Sequence, residues 1–196
     1  MQKIWLFVVL PLWLSLAEDW KYFYPFNDRT YVLGIDKGNA KQADERIREL
    51  RFFRQKAGSQ ITLWKEKLAI QYGLETKKAD FNGDGVADFL IMKGTGARGS
   101  NELYYLFLAN SKAKTLTRVK GFEDLPNPTY NFKYRVITSY SFAGKNYYSI
   151  YRIAKGNQLI QVGHSFEDTF DGDEKTLDAK IAAALKQHKA DPNKLK

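Results

Sequence analysis

The segment Asp80-Phe81-Asn82-Gly83-Asp84-Gly85-Val86-Ala87-Asp88 places oxygen-bearing side chains at alternate positions, the spacing with which a loop wraps a hard cation. Calcium takes roughly six to eight oxygen ligands. With Asp80 at loop position 1, Asn82 and Asp84 fall at positions 3 and 5 and converge when the backbone curls. Gly85 at position 6 takes the left-handed conformation that the sharp turn needs. Val86 offers its carbonyl oxygen, and Asp88 at position 9 binds directly or through a water. Position 12, where a helix–loop–helix site carries a bidentate Glu, is Ile91. The loop therefore leads into a strand. An Asn-Gly and Asp-Gly turn without metal is the other reading. Three carboxylates this close repel one another unless a cation sits among them, so Ca²⁺ is the expected cofactor.

Other constellations promise less chemistry. Gly94-Thr95-Gly96-Ala97-Arg98-Gly99 matches G-x-G-x-x-G, but Leu103 to Phe107 after it reads as a strand. Without a helix N-terminus no dipole holds a pyrophosphate. The segment is better read as a glycine loop that carries Arg98 to a contact surface. His164 and His188 are the only histidines. They lack the partners of a zinc site, and no G-x-S-x-G elbow accompanies them. Asp171-Gly172-Asp173 is a weaker second cation candidate. No catalytic residue is assigned, and an enzyme is not expected.

The elements around these residues are mostly strands. Tyr31 to Ile35 and Phe89 to Met92 are short apolar runs, and Leu103 to Ala109 is aromatic or aliphatic throughout. Ala40, Ala43, Ile47, Leu50 and Arg54 fit helical spacing, yet Leu50 and Phe52 alternate, which favours a strand from about Arg48. Phe132, Tyr134, Val136, Thr138 and Tyr140 alternate with polar residues. Ala143-Gly144-Lys145-Asn146 and Lys155-Gly156-Asn157 are turns, bracketing strands at Tyr147 to Ile153 and Gln158 to Val162. Short turns between strands imply an antiparallel meander. Glu174 to Lys189 carries Leu177, Ile181, Ala184, Leu185 and His188 on one face, an amphipathic helix. The fold class is all-β: an antiparallel β-sandwich with one calcium loop and a C-terminal amphipathic helix. The expected divisions are a signal peptide over 1–17, the sandwich over 18–165, and an acidic linker, helix and polar tail over 166–196.

Lys3, the apolar run Ile4 to Leu16 and Ser15-Leu16-Ala17 have the order of a cleavable export signal. The run is too short for a membrane-spanning helix, and no later stretch is longer, so no membrane span is expected. The chain has no cysteine and a net charge of +9; Lys3 is the one charge before residue 18, so the exported part carries +8. The basic residues are scattered, and nucleic acid is not an expected partner for an exported chain. The expected location is the periplasm, with secretion as the other destination.

Several segments together resemble one family. They are Asp80 to Leu90, Gly94 to Ala97, Tyr104 to Leu108, Leu125-Pro126-Asn127-Pro128-Thr129, Ile137 to Tyr140, Tyr147-Tyr148 and Tyr151-Arg152-Ile153. In that order they are similar to the periplasmic lysozyme-inhibitor-like proteins, which include immunity proteins against lysozyme toxins delivered by type IV secretion. The resemblance implies a calcium-loop β-sandwich and a protruding loop that enters the cleft of a lysozyme-like protein target. Related inhibitors carry S-G-x-x-Y and Y-x-x-x-K. Ala143-Gly144-Lys145-Asn146-Tyr147 departs from the first at Ala143, and Tyr151 with Lys155 fits the second. Arg98, Lys145, Tyr147, Tyr151 and Lys155 are the target-binding candidates, because a cation or hydroxyl set between two catalytic carboxylates satisfies them and excludes substrate. The positive charge suits an acidic target. The alternative is a calcium-stabilised envelope-binding module that contacts anionic glycan or lipid without inhibition.

Overall fold

The computed structural model describes residues 19–38, 47–71 and 73–190. Three antiparallel sheets follow one another along the chain. The first holds β1 (Trp20–Phe23), β2 (Tyr31–Asp36), β3 (Ile47–Lys56) and β4 (Ser59–Ala69), side by side in that order. The second holds β5 (Thr76–Ala79), β6 (Asp88–Gly96), β7 (Asn101–Asn110) and β8 (Thr115–Val119). The third orders β9 (Pro128–Asn131), β10 (Val136–Ala143), β11 (Lys145–Ala154) and β12 (Gln158–Gln161), and β13 (Phe166–Glu167) also pairs with β11. One helix, α1 (Glu174–Ala190), follows.

The second sheet is the middle layer, and this explains the unbroken apolar run of β7. Side chains alternate across a strand. Tyr105, Phe107 and Ala109 join Phe89 and Ile91 in a core shared with Leu33, Ile35, Leu50 and Phe52 of the first sheet. Tyr104, Leu106 and Leu108 join Leu90 in a second core that includes Ile137 of the third sheet. A strand buried on both faces has no solvent side to keep polar. Trp64 fastens the first two layers: its ring stacks on Phe107 at 5.6 Å, and its indole N–H donates to the Leu116 carbonyl.

α1 covers the outer face of the third sheet. Ile181 and Ala184 pack with Val136, Ile150 and Val162, and Leu177 and Leu185 lie against them. Asp173 caps the helix by accepting the Thr176 amide at 2.8 Å, a stabilising use of an aspartate at a helix start.

The strand read from Arg48 onward is present as β3, while Ala40 and Ala43 lie outside the described residues, as do residues 1–17. One strand is shorter than its alternation suggests. β10 begins at Val136, because Asn131 pairs with Val136 and the chain turns through Phe132 to Arg135. Arg135 has φ 51° there, so Phe132 and Tyr134 belong to a turn although they keep strand parity. Among the described residues, no helix is long and apolar enough to cross a membrane.

Candidate functional site

The acidic loop joins β5 to β6 and is held by its own side chains. Asp80 accepts the Asn82 and Gly83 amides on Oδ1 and the Gly85 amide on Oδ2. Asn82 accepts the Asp84 amide, and Asp84 accepts the Val86 amide at 2.8 Å. Gly83 and Gly85 have φ 72° and 82°. These left-handed residues let the amides turn inward onto Asp80. Phe81 is buried and meets Phe122 edge-on at 5.2 Å, which anchors the loop to the second core.

Asp88 plays a different part from the other acids. It is 0% exposed. Its Oδ2 accepts the Phe81 amide at 2.8 Å, and its Oδ1 accepts the Ala109 amide at 2.9 Å. The carboxylate thus ties both ends of the loop to β7. Burial pushes its pKa up to about 6; the two amides pull the other way, and nearby Asp84 and Asp80 add to the rise.

Asp80, Asn82 and Asp84 keep lone pairs beyond the amides they accept, which is the hard-oxygen chemistry that calcium takes. Among the described residues, no three acidic side chains converge on one point. The Asn82 amide bridges to Asp84 at 3.0 Å, and that bridge must open for Asp84 to face an ion. Asp171 and Asp173 form no such cradle, since Asp173 is spent on capping α1.

Three of the five target-binding candidates lie on two neighbouring loops. Arg98 is in the β6–β7 loop, while Lys145 and Tyr147 lie in the β10–β11 hairpin, which turns at Gly144 with φ 84°. Asn101 joins the loops by donating to the Phe142 carbonyl and accepting the Phe142 amide. Asn127 donates to the Ser100 and Tyr140 carbonyls and accepts the Glu102 amide. Residues 97–100 and 142–145 are exposed. Ala97 and Arg98 both have positive φ, 45° and 57°. Consecutive left-handed residues with a Cβ cost about 1–2 kcal/mol each. Arg98 makes no ion pair or hydrogen bond among the described residues, whereas Lys145 pairs with Glu167 at 3.2 Å.

Behind the hairpin, Tyr148 stacks on Phe166 and Phe170 and touches Tyr140 at 4.5 Å. Burial pushes the Tyr140 hydroxyl up to about 12, helped by Asp168, which accepts its hydrogen bond at 2.8 Å. These rings stiffen the hairpin base. Tyr151 instead packs against the second core, and Lys155 occupies the β11–β12 turn. Lys155 is separated from Lys145 by the length of β11, about 30 Å at strand rise. The five candidates therefore do not form one surface. Sequence reading missed the clamp residues Asn101 and Asn127, because single asparagines near turns carry no distinctive signal. The left-handed Ala97 was equally invisible.

No family model matches the chain, and no curated protein matches it. Among solved structures, one described as the structure of a Xanthomonas type IV secretion system related protein aligns with 81% of this chain and 88% of that chain. The identity is 16% and the TM-score 0.46.

Proposed function

We propose that this chain is an exported inhibitor or immunity protein that blocks a lysozyme-like peptidoglycan hydrolase with the paired β6–β7 loop and β10–β11 hairpin. The observation that carries the reading is Arg98: exposed, without an ion pair or hydrogen bond among the described residues, and held in a turn of two consecutive left-handed residues. Backbone strain of this kind costs about 1–3 kcal/mol per residue and concentrates at functional contacts. A guanidinium presents several donors in a planar fork that matches a carboxylate. Placed between the two catalytic carboxylates of a glycosidase, it satisfies both and fills the space of the scissile bond. Lys145 and Tyr147 on the adjoining hairpin supply a second cation and a hydroxyl. The Asn101 and Asn127 clamp fixes the spacing of the loops before contact, so less ordering entropy is lost on binding.

The acidic loop supports this arrangement at a distance. In this reading Asp80, Asn82, Asp84 and the Val86 carbonyl hold Ca²⁺, with Asp88 beneath them adding charge from the core. The cation stiffens the β5–β6 connection; contact with the target falls to the loops. The test is hydrolysis of peptidoglycan by lysozymes of several types, acidic ones included, as the protein is added in the presence of calcium. Saturable loss of activity, removed by Arg98→Ala, is the expected result. Full activity of every hydrolase at saturating protein would refute the reading.

A further inference from the structure

A cleft of about 420 Å³ opens between the exposed edge strands of two layers. β5 ends the second sheet and β9 ends the third, and residues of both edges line the cleft. The cleft is lined by Leu90, Tyr104, Pro128, Thr129, Tyr130 and Phe132, among others. Its size is that of a small-ligand site. Phe132 is 66% exposed, the most exposed of the large apolar side chains described, and meets Tyr130 edge-on at 4.9 Å.

The charges of the cleft narrow the ligand. Lys77 donates to the Tyr104 hydroxyl and to Glu102, and Tyr104 donates to Glu102 at 2.5 Å. Hydrogen bonds from Tyr104 and then Lys77 hold the Glu102 carboxyl below its usual range. Both contacts fall on Glu102 Oε2, which leaves Oε1 as an acceptor. Asp80 is turned into its own loop by three amides. Lys77 is thus the one cation among the described residues that line the cleft, and it is already paired, so the lining favours no anionic ligand although the whole chain is basic. A strand added at either edge is also disfavoured, since Lys77 and Lys78 on β5 and Pro128 on β9 are residues that blunt sheet edges. What remains is an exposed aromatic face, a carboxylate oxygen that accepts from hydroxyls and the Thr129 hydroxyl, which has no hydrogen-bond partner among the described residues. Aromatic faces are negative and attract polarised C–H groups, and a sugar ring offers axial C–H bonds on its face and hydroxyl donors around its rim.

We propose that the cleft between β5 and β9 binds sugar rings of a neutral glycan, stacked on Phe132 and Tyr130 and hydrogen-bonded to Glu102 and Thr129. This goes beyond the inhibitor reading and requires neither Arg98 nor the hairpin. Chitotriose and cellotriose, both uncharged, are titrated into the ¹⁵N-labelled protein, with tetralysine as a cationic control. The expected result is saturable shifts of the amides of residues 77–80 and 129–132 with at least one trisaccharide. Phe132→Ala, in an exposed turn, should weaken binding by about tenfold with an unchanged melting temperature. The proposal is overturned if neither sugar shifts these amides, if Phe132→Ala binds as tightly as the native protein, or if tetralysine alone binds there. Sugar binding without hydrolase inhibition would overturn only the inhibitor reading, and inhibition without sugar binding only this one.

Discussion

Asp88 gives the stability of this protein a pH dependence whose sign can be worked out. Burial raises its pKa from an ordinary 3.8 to about 6. A carboxyl raised on folding binds its proton more tightly in the native state than in the unfolded chain. Its stabilisation is therefore complete below about pH 3.8 and is lost as pH rises through about 6. At 1.36 kcal/mol per pKa unit, the loss is about 3 kcal/mol. The measurement is urea unfolding with a calcium chelator between about pH 4 and pH 7.5, on the native protein and Asp88→Asn. Only the difference between the two is read, because Asp28, Glu49 and Glu102 have lowered pKa values and act in the opposite direction. The stability of the native protein relative to the variant should fall by about 3 kcal/mol across that window and level off above it. Calcium should flatten the fall, since a bound cation takes over the proton's role as counter-charge. A difference that stays level with pH, or grows as pH rises, would refute the reasoning.

Three further outcomes are expected. Calcium at a hundred times its Kd should stabilise the protein by about 2.7 kcal/mol, or about 5–10 °C in melting temperature; thermal scans should show the gain lost in Asp80→Ala and Asp84→Ala. Ala97→Gly should raise stability by about 1 kcal/mol, because glycine adopts positive φ without a Cβ clash. The same change should weaken hydrolase inhibition by freeing Arg98, so a variant that is both more stable and a stronger inhibitor would contradict the preorganised loop. Ile181→Ala should cost about 2–5 kcal/mol in denaturant unfolding, because Ile181 is fully buried between α1 and the third sheet; a cost below about 0.5 kcal/mol, the scale of surface substitutions, would mean that the helix does not rely on this contact.

Local pattern by itself determined the β class, most strand positions, the acidic loop and the helix. Each is written in neighbouring residues: the apolar run of β7, the turn at Gly144, the acids at alternate positions from Asp80, the apolar face of Leu177, Ile181 and Ala184. Periodicity could not say that β7 is buried on both sides by different sheets, because a continuous apolar run records burial without naming its partners. Nor could it separate Tyr151 from Tyr147, which share a face of β11 while one packs inward and the other stands exposed. Asp88 reads as a cation ligand in sequence; that the fold buries it and gives its oxygens the amides of Phe81 and Ala109, the latter 21 residues away, is a tertiary outcome. The Asn101 and Asn127 clamp and the cleft beneath Phe132 likewise exist only where separate layers meet. Contacts between layers depend on which sheet edges and loops end up adjacent, and no short stretch of sequence encodes that.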